Sequence, residues 1–132
     1  MWPFRRGGSI GRRGERLAVK HLRRTGHKIL ARNYRCPLGE ADVITLDPST
    51  KAELGSAALV FVEVKTRSSD DYALPEAAVD RRKRRKLLRV ARYYLAHHDV
   101  ADRPVRFDVL AVLLRPDGEV EVRHIVDAFR PH

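Results

Sequence analysis

Three acidic residues and one lysine occupy positions where a purely structural sequence rarely carries charge. Glu63 and Lys65 lie two residues apart within a run of aliphatic residues, and Asp42 interrupts a second such run. Glu15 falls inside the apolar stripe of an amphipathic segment, away from the arginines of that segment. Because a carboxylate on a core-facing surface is costly unless it is paired or binds a metal, these four residues are the candidates for chemistry.

Their spacing predicts a metal-assisted reaction on a phosphate ester. Successive side chains of a strand point to opposite faces, so Glu63 and Lys65 share a face, roughly 7 Å apart. If Asp42 lies beside Glu63 on the neighbouring strand, the two carboxylates offer hard oxygen ligands to Mg²⁺, which keeps several waters for substrate phosphates. The backbone carbonyl of Val64 would supply one more ligand, and the ammonium of Lys65 would position and help activate a water for in-line attack on a phosphodiester.

A structural interpretation of the same residues stays open. Glu63 and Lys65 could form an ordinary exposed pair on a half-solvated sheet, worth about 0.5 kcal/mol. Glu15 could be paired with Arg12 or with a neighbouring strand. The strand context of both Asp42 and Glu63, in a basic chain, favours a site over this alternative.

The charge of the chain favours a polyanionic partner. Its 132 residues, enough for one domain, carry 27 Lys and Arg against 17 Asp and Glu, a net charge of +10. Nucleic acid is the partner that such an excess favours. The alternative is a basic domain that lies on an anionic protein or membrane surface.

The cysteine content and the lack of a long apolar run exclude some classes of protein. Cys36 is the only cysteine, which excludes an intrachain disulfide or a cysteine-built zinc site and fits a cytoplasmic, reducing location. No apolar run approaches the ~20 residues that a membrane span needs, so we expect no membrane partner.

The patterning predicts a single α/β domain in the order α-β-β-β-α-β-β. Residues 1–8 are predicted to be a flexible basic tail, and residues 9–132 the domain. Helices interleaved with strands favour one mixed sheet flanked by helices. The predicted helices are 10–24 and a segment after Pro75 that runs to about 97; the predicted strands are 27–34, 40–46, 59–66, 105–114 and 119–126.

A block of six consecutive cations, residues 81–86, opens the second helix, with Asp80 as its predicted cap. A phosphate at a helix N-terminus meets free backbone N–H groups as well as side-chain charge. Helical spacing turns Lys83 and Arg84 toward the sheet, so these two, together with Arg67, are the predicted phosphate contacts. Nothing in the block predicts the reading of base edges.

Together these residues resemble the YraN family of small, poorly characterised bacterial proteins. The resemblance covers the chain from about residue 11 to 129. The matching segments are Gly14-Glu15-Arg16-Leu17-Ala18, Asn33-Tyr34-Arg35, Gly39-Glu40-Ala41-Asp42, Phe61-Val62-Glu63-Val64-Lys65-Thr66-Arg67, Arg106-Phe107-Asp108-Val109 and Ala128-Phe129.

That family is similar to the PD-(D/E)xK nuclease superfamily, especially the archaeal Holliday-junction resolvases. The resemblance implies a restriction-endonuclease-like fold and a magnesium-dependent phosphodiesterase site. Carried over residue by residue, Glu15 matches the helix acid and Asp42 the metal-binding aspartate. Glu63 and Lys65 match the Glu-x-Lys pair.

The leading hypothesis is therefore a Mg²⁺-dependent endonuclease-like protein, with Mn²⁺ as a substitute, that cleaves DNA, with branched or flap structures as candidate substrates. The runner-up is a non-catalytic nucleic-acid-binding module with a nuclease fold that recruits a partner. A third hypothesis is a structural protein on the acidic surface of a partner. Resolvase-like folds are often dimers, so a homodimer is one assembly that the resemblance suggests.

Overall fold

A computed structural model of the protein describes residues 9–68, 80–100 and 102–130. They form a five-stranded mixed sheet with a long helix on each face, which confirms the predicted α/β class. The predicted tail, residues 1–8, lies outside the described residues. The elements are α1 (Ser9–Arg24), β1 (Lys28–Cys36), β2 (Gly39–Asp47), α2 (Lys51–Leu54), β3 (Ala58–Ser68), α3 (Arg81–His97), β4 (Val105–Leu114) and β5 (Val120–Phe129).

The strands lie in the order β1-β2-β3-β4-β5, so each strand pairs with its neighbours in sequence. Three of the four pairs are antiparallel, and β3 and β4 are parallel. A parallel pair needs a long crossover, and α3 lies in the connection between these two strands. The predicted element order is confirmed with one addition. The region between the predicted strands 40–46 and 59–66 contains a 3₁₀ helix, Pro48–Thr50, followed by the single turn of α2.

Each face of the sheet has its own apolar core. The core under α1 contains Ala18, Val19, Leu22, Val43, Ala58, Val60, Val62, Leu110 and Val112. The core under α3 contains Ala41, Ile44, Leu59, Phe61, Leu87, Val90, Ala91, Tyr94, Phe107, Val109 and Phe129. Because both faces are covered, no face of the central strand β3 is open to solvent along its first half.

Local capping signals set the helix ends where the sequence predicts them. The side chain of Asp80 accepts a hydrogen bond from the Lys83 amide at 3.0 Å, which caps the N-terminus of α3. After α1, Gly26 takes a φ of +95°, a left-handed conformation that ends a helix at low steric cost.

A close approach at Gly14 fixes how α1 lies on the sheet. A Cβ at this buried position would stand 1.8 Å from the Thr66 hydroxyl oxygen and 2.8 Å from the Thr66 Cβ. Only glycine therefore lets the first half of α1 contact the C-terminal half of β3.

None of the helices in the described part of the chain is both long and apolar enough to cross a membrane.

Candidate active site

The candidate site begins where the ladder between β2 and β3 ends. Val43 and Val62 form the last pair of this antiparallel ladder. Asp42, which precedes Val43, and Glu63, which follows Val62, are therefore the next residues beyond the ladder on the two strands. Asp42 is buried, and its Oδ2 accepts a hydrogen bond of 2.8 Å from the backbone N–H of Val64. The carboxylate of Asp42 on β2 thus accepts a hydrogen bond from the backbone of β3, one residue beyond Glu63.

Glu63 and Lys65 lie on the same face of β3, as strand alternation predicts. The Lys65 Nζ is 3.6 Å from the Glu63 Oε1. This is the face that α3 covers, since Leu59 and Phe61 of the same parity pack in the core under α3. Lys65 is only 2% exposed, so the alternative of an ordinary exposed pair on a half-solvated face is wrong for this residue.

The environment of Lys65 disfavours the charged form of its side chain. Burial, reinforced by the neighbouring Lys83, lowers the pKa of Lys65 to about 8, although the Glu63 carboxylate acts in the opposite direction. Desolvation disfavours the charged form of an amine, and a second cation nearby does the same. A buried ammonium of this kind gains from any anion that enters the site.

Glu15 lies on the opposite side of the sheet, on α1. It is half-buried on α1, one residue after Gly14, which contacts Thr66 of β3. Among residues 9–68, 80–100 and 102–130, no three His, Cys, Asp or Glu side chains form a group that could hold a metal ion. The structure therefore brings Asp42, Glu63 and Lys65 together but does not join Glu15 to them as a three-acid cluster.

Two carboxylates still fit Mg²⁺, which binds through one or two carboxylates and fills its octahedral shell with water and substrate oxygens. Asp42 and Glu63 supply hard oxygens of this type. The N–H of Val64 is used by Asp42, and its carbonyl stays a predicted ligand.

The three predicted phosphate contacts have different surroundings. Lys83 is half-buried beside Lys65, which places it at the site. Arg67 is half-buried further along β3, and its Nη1 donates to the Thr66 carbonyl at 3.2 Å. The guanidinium of Arg84 lies over the ring of Phe129, 5.3 Å from its centroid, and thus leans toward β5.

Sequence reasoning assigned no role to a buried ion network on the α1 face of the sheet. Arg106 donates to both oxygens of Asp108 at 2.9 Å each and also contacts Asp47 at 2.9 Å. Asp108 is fully buried and receives two further hydrogen bonds, from His124 at 2.8 Å and from the Asp127 amide at 3.0 Å. Burial by itself raises the pKa of Asp108, but the hydrogen bonds from His124 and Arg106 outweigh it and hold that pKa below its usual value.

His21, in the last turn of α1, and His27, just after that helix, lie next to this network. The Nδ1 of His27 lies 2.8 Å from the Thr45 hydroxyl, and its Nε2 is 3.7 Å from Asp47. The rings of His21 and His27 lie 5.5 Å and 5.6 Å from the His124 ring. Burial lowers the pKa of both His21 and His27.

One sequence signal pointed to this network. Arg106 and Asp108 alternate with Phe107 and Val109 in β4, so two charges share one face of an apolar strand. The network connects side chains of the end of β2, the start of β4 and β5.

Comparisons with known proteins match almost the whole chain. The model of "Uncharacterised protein family UPF0102" matches residues 14–112. A UPF0102 protein of Moorella thermoacetica is 46% identical over 120 residues, which cover 90% of this chain and 93% of that protein. A UPF0102 protein of Beutenbergia cavernae is 44% identical over 89% of this chain and 92% of its own length. A third, from Pelobacter propionicus, is 41% identical over 92% of this chain and 82% of its own length.

Proposed function

Because the chain belongs to the UPF0102 (YraN) family, whose description names no reaction, we propose a function from its own site: a Mg²⁺-dependent endonuclease that hydrolyses phosphodiester bonds of DNA. The observation that carries the proposal is the convergence of two buried or half-buried carboxylates and a buried lysine at the point where β2 and β3 separate. Asp42 binds the Val64 amide at 2.8 Å, and the Lys65 Nζ lies 3.6 Å from Glu63. A carboxylate pair beside a desolvated ammonium suits phosphate-ester hydrolysis.

In this proposal Asp42, Glu63 and the carbonyl of Val64 hold the cation. When bound, Mg²⁺ would polarise the phosphate and lower the pKa of a coordinated water. Lys65 would hold the attacking water in line with the scissile bond, and Glu15 would ligate or orient a water of the metal. The attacking water gives up one proton to solvent as its oxygen bonds to phosphorus, the bond from phosphorus to the sugar oxygen breaks, and the leaving oxygen takes up a proton, so that one water is consumed.

The local charges support an anionic substrate. Lys83 and Arg67 lie close enough to Lys65 to lower its pKa, so three cations accompany the carboxylates of the site. Lys83 lies in the first turn of α3, whose N-terminus Asp80 caps, so its contribution to phosphate binding is the charge of its side chain. Arg67, Lys83 and Arg84 are the proposed phosphate contacts, with DNA as the partner and branched or flap DNA as the candidate substrate.

The test is cleavage of linear, flap and four-way DNA with Mg²⁺ or Mn²⁺, compared with the variants Glu63→Gln and Lys65→Met. We expect each variant to lower the cleavage rate by at least about 100-fold while its Tm stays within a few degrees of the wild type. Glu119→Gln and Lys28→Met change the same residue types at exposed positions and serve as matched controls.

Three outcomes contradict the proposal. They are an absence of metal-dependent cleavage on all three DNA substrates, cleavage that both site variants retain, and cleavage that the control variants lose equally. Single-stranded and duplex RNA are tested in parallel, because a rate on RNA above that on DNA would correct the substrate class.

The runner-up function is a nucleic-acid-binding module with a nuclease fold that recruits a partner without cutting. One observation favours it: within the described residues the acids do not form a three-member metal-holding group. This function predicts DNA binding that Glu63→Gln leaves unchanged and no cleavage under any metal condition. A structural role on an acidic partner would give DNA binding that is weak and insensitive to salt, whereas phosphate contacts give affinity that falls steeply with salt.

Location and assembly complete the proposal. We propose a cytoplasmic protein, in keeping with a single cysteine, and a homodimer as its assembly. Fractionation of cells that express a tagged chain tests the first, and sedimentation equilibrium tests the second.

A further inference from the structure

The outward side of α1 is uniformly basic. Its six exposed cations fall within an arc of about 120° when residues are placed at 100° intervals around the helix. No apolar side chain of residues 10–24 lies within this arc. The six, which we call the α1 basic face, are Arg12, Arg13, Arg16, Lys20, Arg23 and Arg24.

The outward side of α3 is basic as well. Six of its seven exposed cations, all except Arg84, fall within an arc of about 140° by the same construction. They are Arg81, Arg82, Arg85, Lys86, Arg89 and Arg92, and they form the α3 basic face. Four of them, Arg82, Arg85, Lys86 and Arg89, line a surface groove of about 340 Å³.

The sheet separates the two faces. α1 packs on one side of the sheet and α3 on the other, and both basic faces point away from it. A straight duplex that lies on one face cannot contact the other, because both helices and the sheet stand between them. The candidate active site lies on the α3 side of the sheet, since Glu63 and Lys65 share the face that α3 covers.

We propose that the α1 basic face is a second DNA-binding surface, so that one chain holds two duplex segments, one on each side of the sheet. The choice of DNA as the partner rests on the proposed function. The α3 basic face would hold one segment, on the side of the sheet where the candidate site lies, and the α1 basic face would hold the other.

The energetics of α1 support a polyanion as the occupant. Arg12, Arg16, Lys20 and Arg24 follow one another at intervals of four residues, and like charges at this spacing repel by about 0.2–0.5 kcal/mol per pair. The first turn of α1 contains no acidic residue, and cations near a helix N-terminus oppose the macrodipole. A phosphate backbone relieves both costs.

The dimensions and chemistry of the face also fit duplex DNA. Arg12 and Arg24 are twelve residues apart, about 18 Å along the helix, a length over which a duplex carries about ten phosphates. A helix that inserts into a membrane carries large apolar side chains beside its cations, and none lies within this arc.

The test is a bridging assay in EDTA, so that no cleavage intervenes. A biotinylated duplex on beads captures a second, fluorescent duplex only if the protein binds both. The α1 triple variant, Arg12→Gln with Arg16→Gln and Arg23→Gln, is compared with the matched α3 triple variant, Arg82→Gln with Arg85→Gln and Arg89→Gln.

We expect each triple variant to lower bridging at least tenfold and to keep its binding to one duplex through the face that remains. For each variant, binding to a single duplex is then measured as a function of salt. The log of the binding constant should fall against log salt with a slope of about 0.9 for each phosphate that the remaining face neutralises. Circular dichroism confirms that both variants are folded.

Several outcomes would overturn the inference. If the α1 triple variant bridges as well as the wild type, the second duplex is held elsewhere, as in a dimer that uses one face per chain. If bridging and single-duplex binding fall equally in this variant, α1 is the sole DNA surface. Weaker binding to phosphatidylglycerol vesicles with unchanged bridging would assign the face to a membrane. Because the assay contains no metal, its result is independent of whether the protein cleaves DNA.

Discussion

Substitution of Gly14 by alanine should destabilise the protein, although alanine is the better helix former. Gly14 is buried within α1, and an added Cβ would stand 1.8 Å from the Thr66 Oγ1 and 2.8 Å from both the Thr66 Cβ and Cγ2. Rotation of the Thr66 side chain removes the first contact but leaves its Cβ at 2.8 Å. The helix must therefore move away from β3 by on the order of 0.7 Å to reach a normal carbon–carbon distance.

Two opposing terms set the size of the effect. Overpacking of a well-packed core costs about 1–3 kcal/mol, and the change from glycine to alanine within a helix returns up to about 1 kcal/mol. Because the clash involves an atom fixed to the strand backbone, we expect a net decrease of about 1–2 kcal/mol in the free energy of unfolding. For a domain of this size that corresponds to a fall in Tm of roughly 3–8 °C.

The assay is urea denaturation of a double-mutant cycle. Thr66→Gly removes all three clashing atoms, so Gly14→Ala should cost less in that background than in the wild type, by at least about 1 kcal/mol. Arg13→Ala, an exposed change at the neighbouring position, is the control and should alter stability by less than about 0.5 kcal/mol.

A Gly14→Ala variant that is as stable as the wild type would refute this account of how α1 lies on β3. So would additivity of the two changes to within about 0.3 kcal/mol, because the two residues would then not be in contact. If the proposed nuclease activity is found, the same helix shift should lower it, since Glu15 follows Gly14 in the chain.

Three further predictions concern the buried charges. Arg106→Met should lower the free energy of unfolding, measured in urea, by about 3–5 kcal/mol, because it leaves two buried carboxylates without their cation. Arg123→Met, at an exposed position, should lower it by less than about 1 kcal/mol. Equal effects of the two changes would contradict the stabilising contribution of the network. The free energy of unfolding should fall as the pH drops below about 6.5. Burial lowers the pKa of His21 and His27 in the folded state, so the unfolded chain binds protons at these residues first. Each histidine lowers the free energy of unfolding by up to about 1.4 kcal/mol per pH unit until the pH passes its folded pKa. His27→Gln should flatten this dependence in Tm measured from about pH 7.5 to about pH 5.5, and an unchanged profile would exclude His27 as its source. Lys65→Met should raise stability or leave it unchanged, since it replaces a buried charge by an apolar chain of similar length, and a decrease above about 3 kcal/mol would instead give Lys65 a structural role.

The end of the last strand could not be predicted from local sequence patterns. The sequence predicts the last strand as 119–126, but β5 runs on to Phe129. A register shift opposite Phe107 and Val109 lets it continue, with Asp127 in a left-handed conformation and its amide bonded to Asp108. The extra residues are held by a side chain 19 positions away, which no local pattern reports.

Some features of the candidate site also follow from local sequence, whereas others depend on the tertiary structure. The shared face of Glu63 and Lys65 follows from the two-residue period of a strand, and the cap at Asp80 follows from residues within one turn. These features depend on neighbours in the chain, so the sequence by itself determined them. The same holds for the basic arc of α1, which is set by helical spacing alone.

Only the tertiary structure decided which of these charges are buried and what they meet. The covering of one sheet face by α3 makes Lys65 a buried ammonium, and the register of β2 on β3 brings Asp42 to the Val64 amide. Within the described residues, Glu15, Asp42 and Glu63 do not form a group of three acids that could hold a metal ion. Strand register and the choice of face are long-range events, and a buried charge acquires its pKa and its partners only once they are fixed.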